Sequence, residues 1–168
     1  KECLELFATH FQTGELIPEE YIKRIKDSAN FMSGMATIRQ LSFGKLDMAY
    51  HSLTTELTQD IKEFERNAIS ELDLYPEVEG SCLSTQFSHI FQGGYSSGYY
   101  SYKWAEVLDA DAFEAFKEKG IFNKEIASSF KENILSAGGS EHPSILYKRF
   151  RGRDAKPDAL LKRAGLVK

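Results

Sequence analysis

Residues 89–104 read HIFQGGYSSGYYSYKW. Four tyrosines lie within eight positions of this stretch, and the pair Gly93–Gly94 stands directly before them. Glycine gives the backbone a freedom that a packed core element does not need, and a buried tyrosine hydroxyl requires a hydrogen-bonding partner. The stretch therefore predicts a mobile loop that presents phenols and the imidazole of His89 to a polar target. It then continues as a helix.

Helical geometry divides the tyrosines between two faces of that helix. For a helix that begins near Gly98, one stripe about 100° wide faces the core. This predicted core face carries Tyr100, Trp104, Val107 and Leu108. The opposite side carries Tyr99 and Tyr102, and Tyr95 joins them at i, i+4, i+7 spacing if helical geometry extends backwards. Either these three phenols face a functional target, or a second helix packs over them. The flexible lead-in favours the first alternative.

Outside a long connection at residues 76–88, the rest of the chain has helical periodicity and no alternating strand pattern, which predicts an all-α fold. An apolar stripe at Leu4, Phe7, Ala8 and Phe11 predicts a first helix. Further helices are predicted to begin at Pro18, at Asn30 (continuing to about Leu53), after an N-cap at Thr58, after an N-cap at Asn123, at Pro143 and at Pro157. The helix that follows the tyrosines is predicted to end at Lys119–Gly120.

Composition excludes several classes of function. The chain has 168 residues, enough for one domain, and a net charge of -4, which argues against a nucleic-acid partner. The basic run Lys148–Arg153 is predicted to be a solvated surface or a paired structural site. An RNA-binding interpretation, from this run and the tyrosines, has little support. Cys3 and Cys82 lack metal-ligand spacing, and no apolar run is long enough for a membrane span, so we expect a cytoplasmic protein without membrane contact.

The motif His89-x5-Tyr95-x6-Tyr102, with Gly93–Gly94 inside it, resembles the C-terminal part of the M3 (thimet oligopeptidase-like) zinc metallopeptidases. It is most similar to the branch of bacterial peptidyl-dipeptidases and oligopeptidase A. Other segments share the resemblance, which covers essentially the whole chain. They are Asp47–His51, Tyr99–Leu108, Gly120–Phe122, Asn133–Ser140 and Tyr147–Arg153.

The resemblance implies a helical segment of a larger, mainly helical zincin-type peptidase. The family holds zinc with the two histidines of an HExxH helix and a later glutamate, and no HExxH occurs in this sequence. The chain also begins in a mid-helix pattern without a methionine. We therefore expect residues 1–168 to be one C-terminal fragment of the catalytic domain. Its zinc ligands would lie upstream of Lys1, so the fragment would be inactive alone and bind no metal.

The resemblance also implies roles for the loop at about residues 87–102. Tyr102 would donate a hydrogen bond to the oxyanion, with Tyr95 and His89 as further catalytic and substrate-clamping groups. The substrate-binding set would be His89, Gly93, Gly94, Tyr95, Tyr99 and Tyr102. The expected partners are short peptides, the missing N-terminal part of the same chain and, through exposed apolar surface, further copies of the fragment. The exposed apolar surface predicts either this self-association or partial disorder of region 76–98. The alternative is a non-catalytic helical interaction module.

Overall fold

The computed structural model describes residues 1–167, and the predicted all-α fold is confirmed. Seven α-helices follow one another in these residues: α1 (Glu19–Ala29), α2 (Ser33–His51), α3 (Ile61–Ile69), α4 (Ser101–Lys119), α5 (Lys124–Phe130), α6 (Pro143–Arg151) and α7 (Asp158–Arg163). Short 3₁₀ turns cover Leu4–Leu6, Ser70–Leu72 and Ser88–Ile90, and one π-helical turn covers Lys131–Leu135. None of the helices in the described part of the chain is long and apolar enough to cross a membrane.

Local signals set most helix boundaries. The Asn123 side chain accepts hydrogen bonds from the backbone N–H groups of Glu125 and Ile126 at 2.9 and 3.2 Å, so it caps α5 as predicted. Pro143 occupies the first turn of α6, where its missing N–H costs nothing. Gly120 directly follows the last residue of α4 with φ +106°, a conformation that residues with a Cβ atom rarely adopt.

Two predicted helix starts are wrong by a few residues. The cap of α3 is Asp60 instead of Thr58, because the Asp60 carboxylate accepts the N–H groups of Lys62 and Glu63. The helix predicted from Asn30 begins at Ser33 because Met32 has φ +55°, which interrupts the helical path.

The predicted first helix is also wrong, apart from the short 3₁₀ turn. Backbone bonds from His10 N–H to the Glu15 carbonyl and from Ile17 N–H to the Ala8 carbonyl, at 2.8 and 2.9 Å, close a turn instead. Phe7 and Phe11 of the stripe are 70% and 87% exposed, and Leu4 and Ala8 are only half-buried, so no member of the stripe is fully buried. A short isolated helix is only marginally stable in water, which explains why the apolar spacing does not produce one here.

The described chain forms two compact units, Lys1–Ala36 and the part from Thr37 onward. The second unit contains two apolar clusters. The first cluster consists of Phe43, Leu46, Phe87 and Ile90. The second consists of Ala112, Ala115, Tyr147 and Phe150. Helix α4 packs against α5 and α7. Because the first cluster joins α2 to residues 87–90, it fixes the base of the loop that precedes α4.

The assignment of Tyr100 and Trp104 to the core is wrong. Both side chains are about half exposed (58% and 52%), although Val107, from the same predicted face, is buried. Helix α4 begins at Ser101 instead of near Gly98. Tyr100 and Trp104 line an open apolar groove of about 1010 Å³, together with Phe113. The stripe is apolar as predicted, but no residue of the described chain fills the space over it.

Leu46→Ala should lower the free energy of unfolding by about 2–5 kcal/mol, because Leu46 is fully buried in the first cluster and truncation leaves a cavity. Urea denaturation of the 168-residue chain measures this change. Leu41→Ala, on the same helix but 43% exposed, is the matched control and should cost less than about 1 kcal/mol. Equal losses in the two variants would contradict this account of the core.

Candidate functional site

An imidazole and three phenols, all named from the sequence, come together at the start of α4. The ring of Tyr102 lies 5.3 Å from that of Tyr95 and 5.1 Å from that of Tyr99, measured between centroids. His89 lies 6.1 Å from Tyr95 and 6.4 Å from Tyr99. His89 and Tyr102 are exposed, whereas Tyr95 and Tyr99 are half-buried. The cluster therefore presents several hydrogen-bonding groups at one surface.

Tyr95 reaches this cluster through a turn and not through a helix. The Gly98 N–H donates to the Tyr95 carbonyl at 2.8 Å, and Ser97 adopts φ +58°. A left-handed conformation costs a residue with a Cβ atom about 1–2 kcal/mol, so neighbouring contacts must hold it. The helical spacing thus groups the correct tyrosines, although the backbone before Ser101 is a series of turns.

Tyr99 connects the cluster to the core. Its ring packs against Phe43 and Phe87, at centroid distances of 5.7 and 4.9 Å. It also belongs to the partly buried shell of the first apolar cluster. Tyr99 is therefore fixed by packing on one side, while its ring supports Tyr95 and Tyr102 on the other.

The glycine pair shapes the turn that carries His89. A Cβ atom added to Gly93 would lie 3.0 Å from both the Cα and the carbonyl oxygen of His89. The N–H of Gly93 donates to that carbonyl at 3.2 Å. Gly94 follows with φ +78°. A side chain at Gly93 would press on the backbone of His89, so this position favours glycine.

Asp47 is the residue of this region that sequence reasoning missed. It lies on α2, is fully buried, and accepts the backbone N–H of Ser97 on Oδ1 and that of Tyr99 on Oδ2, both at 2.9 Å. His51, one turn further along α2, places Nδ1 2.8 Å from Oδ1. The sequence showed Asp47 only as one member of a family-like segment. A single acidic residue on a helix carries no signal of a partner 50 residues away.

A second carboxylate holds the connection that leads to His89. Glu65 on α3 accepts the N–H groups of Leu83 and Ser84 at 3.0 and 2.7 Å, and the Ser84 hydroxyl at 2.6 Å. Partial burial alone would raise the pKa of Glu65, but the hydrogen bonds from Ser84, Leu83 and Cys82 outweigh burial and lower the pKa. Glu65 is therefore ionised at neutral pH and fixes this part of the connection.

The protonation of Tyr102 favours hydrogen-bond donation. The neighbouring Tyr95 hydroxyl, as a hydrogen-bonding partner, raises the pKa of Tyr102 above its ordinary value, and partial desolvation adds to the effect. Tyr102 therefore carries its proton throughout the neutral range. A neutral phenol donates one hydrogen bond and also accepts.

The basic run of α6 is a paired structural site, one of the two alternatives that the sequence left open. Arg153 binds both oxygens of the buried Asp111 at 2.7 and 3.0 Å, and Arg151 binds both oxygens of Glu118. Burial alone would raise the pKa of Asp111, but hydrogen bonds from Arg153 and Tyr147 lower it overall. Burial and the bond to Asp111 raise the pKa of Tyr147. These pairs attach α6 and the residues after it to α4.

No metal centre forms among residues 1–167, since they contain no group of three or more His, Cys, Asp or Glu side chains able to hold a metal ion. Nδ1 of His51 lies 2.8 Å from the backbone carbonyl of Asp47 at the end of α2. His142 caps α6 through the N–H of Ser144. The zinc implied by the family resemblance therefore fits none of the described residues.

Comparison with known proteins is consistent along the whole chain. The model of peptidase family M3 matches residues 1–166. Oligopeptidase A of Haemophilus influenzae is 42% identical over 168 residues, which cover 99% of this chain and 25% of that protein. Oligopeptidase A of Escherichia coli is 41% identical, with 98% of this chain and 24% of that protein covered. Dipeptidyl carboxypeptidase of Escherichia coli is 36% identical, with 95% and 24% covered.

The chain thus spans about a quarter of the length of the curated relatives that it matches. The family match and the identities both extend over the glycine- and tyrosine-rich segment, α4 and the C-terminal helices. The resemblance first inferred from the His89–Tyr102 motif is confirmed: the chain belongs to peptidase family M3.

Proposed function

We propose that this chain is part of a zinc-dependent peptidase that hydrolyses short peptides, and that residues 89–102 contact the substrate. The observation that carries the proposal is the convergence of His89, Tyr95, Tyr99 and Tyr102 at one surface. Family membership and relatives named oligopeptidase A and dipeptidyl carboxypeptidase support peptides as the substrate class. Because the chain spans a quarter of those relatives, the remaining part of the protein would complete the site.

Tyr102 is best placed to act on the peptide carbonyl. Its side chain is 44% exposed, and its neutral phenol can donate to the oxygen on which negative charge develops during attack. Such a donor favours the transition state because the acceptor gains charge only there. Tyr102 lies in the first turn of α4, directly after the loop.

His89 and Tyr95 are assigned to holding the peptide. Both lie beside Tyr102 in the cluster, and imidazole and phenol groups each donate and accept hydrogen bonds with peptide groups. Gly93 and Gly94 permit the turn that carries His89 and keep the backbone accessible. Tyr99 contributes its hydroxyl to the cluster, and its core-packed ring fixes the position of the other two phenols.

The zinc of this proposal belongs to the whole protein. The described residues offer no set of ligands for it, so the roles given to His89, Tyr95 and Tyr102 are those of hydrogen-bonding groups alone. They would bind the peptide, orient its carbonyl group and stabilise charge on the carbonyl oxygen.

Tyr102→Phe in the full-length protein should lower kcat by about 10²–10³-fold, because one donor to the developing charge is removed. Steady-state hydrolysis of a short peptide measures the change, with zinc content determined in parallel and expected to be unchanged. The matched control is Tyr100→Phe, which removes a hydroxyl two residues away, outside the cluster, and should leave kcat as in the wild type. Wild-type kcat in Tyr102→Phe would refute the role assigned to this phenol.

Tyr102 should titrate above its ordinary pKa of 10.0, and Tyr95→Phe should bring that pKa back toward 10.0. The neighbouring hydroxyl favours the protonated phenol. Its stabilising effect is therefore complete below pH 10 and is lost as the pH rises through the increased pKa. NMR of isotope-labelled tyrosine rings measures the titration. Tyr75→Phe, at an exposed position outside the cluster, should leave the Tyr102 titration unchanged; a shift of similar size would contradict the assignment.

A further inference from the structure

We infer that Asp47 is a positioning residue that fixes the phenols at the start of α4 for peptide hydrolysis; this inference rests on the proposed function. Asp47 is fully buried, and each of its carboxylate oxygens accepts one backbone N–H from the turn before α4. It is 50 residues from Ser97 and 52 from Tyr99 in sequence. The contact therefore connects two distant segments, helix α2 and the phenol-bearing turn.

The conformation of the turn depends on that carboxylate. Ser97 adopts φ +58°, which is sterically costly for a residue with a Cβ atom. The N–H groups of Ser97 and Tyr99 both point at the carboxylate of Asp47. This arrangement resembles a backbone nest, in which nearby N–H groups bind one anion. Without an anion between them, both N–H groups would lose their protein acceptor. No hydrogen bond to Asp47 would then offset the steric cost of the positive φ at Ser97. The buried carboxylate supplies the anion.

The conformation of this turn determines where the phenols lie. Its first carbonyl is that of Tyr95, which accepts the Gly98 N–H at 2.8 Å, and Tyr99 supplies one of the two N–H groups bound by Asp47. Tyr102 follows within the next helical turn, with its ring 5.1 Å from that of Tyr99. All three phenols therefore belong to one short segment that a single carboxylate holds. A shift of about 1 Å at reacting groups costs as much as 10²-fold in rate.

His51 lies beside the carboxylate, and its Nδ1 hydrogen-bonds to the backbone carbonyl of Asp47 at 2.8 Å. Its Nδ1 lies 2.8 Å from Oδ1 of Asp47, and its ring lies beside Phe91 at 5.9 Å between centroids. The N–H groups of Ser97 and Tyr99 engage one carboxylate oxygen each, which sets the orientation of the Asp47 side chain. An asparagine in the same place offers only one acceptor oxygen, and its NH₂ group would face one of the backbone donors. Asp47→Asn therefore tests the two hydrogen bonds to the turn with almost no change in side-chain volume.

The experiment uses the full-length protein and compares Asp47→Asn with Asp111→Asn. Asp111 is the matched control because it is an equally buried aspartate on α4 whose partners are Arg153 and Tyr147, outside the phenol cluster. Hydrogen-exchange mass spectrometry follows the peptide that covers residues 95–102, and steady-state kinetics with a short peptide gives kcat and KM. Both variants are measured at a temperature at which both remain folded.

In Asp47→Asn, exchange at Ser97 and Tyr99 should accelerate about tenfold or more, since hydrogen bonds to a charged acceptor are lost. The value of kcat should fall on the order of 10²-fold, with a smaller change in KM, as expected for lost transition-state interactions. Asp111→Asn should lower stability without changing exchange at residues 97–99 or kcat. Adding Ser97→Gly to Asp47→Asn should restore part of kcat, because glycine adopts φ near +58° without steric cost.

Unchanged exchange at Ser97 and Tyr99 in Asp47→Asn would refute the claim that Asp47 holds the turn before α4. Wild-type kcat in Asp47→Asn, under conditions in which Tyr102→Phe loses activity, would overturn the catalytic part of the inference. An equal loss of kcat in Asp111→Asn would also overturn it, because a general loss of stability would then explain both variants. Absence of peptide hydrolysis by the wild type would refute the proposed function, while the exchange measurement would still decide whether Asp47 holds the turn.

Discussion

The phenol cluster depends on one buried charge, the carboxylate of Asp47. A carboxylate taken out of water is unfavourable unless hydrogen bonds replace its hydration. Here the replacements are the N–H groups of Ser97 and Tyr99. The same bonds serve the loop, because backbone donors in a glycine-rich turn have no helix or sheet to bind them. The carboxylate gains hydrogen-bond donors and the backbone N–H groups gain an acceptor. The position of the turn relative to helix α2 is therefore fixed by these two bonds.

A carboxylate also binds backbone N–H groups on the N-terminal side of His89. Glu65 binds the backbone of Leu83 and Ser84, so carboxylates from α2 and α3 hold the irregular chain both before and after His89. Between these two clamps, Ile90 is buried in the first apolar cluster, whereas His89 is exposed. The loop is thus organised by its backbone, and its polar side chains remain available at the surface.

The features that could be predicted from the sequence are those set by interactions within a few residues. Asn123, Pro143 and Gly120 mark helix boundaries because a cap, a first-turn proline and a left-handed glycine act within a few residues. The stripe from Leu4 to Phe11 and the core placement of Trp104 failed, since burial depends on what lies opposite in space. Tyr95 joined the cluster as expected, but through a turn that helical spacing does not describe. Asp47 could not be found, because its partners are about 50 residues away.

Helix α4 is attached at two points, and the N-terminal one limits how its phenols can move. Its N-terminal approach is held to α2 through Asp47, and its middle is held to the residues after α6 through Asp111 and Arg153. Tyr102 lies between these points and is partly exposed, while Tyr99 is anchored in the core. Motion of the backbone at the start of α4 would require breaking the buried contact of Asp47 with Ser97 and Tyr99. The remaining freedom of Tyr102 is therefore mainly that of its side chain, which suits a donor whose geometry must be set before the substrate binds.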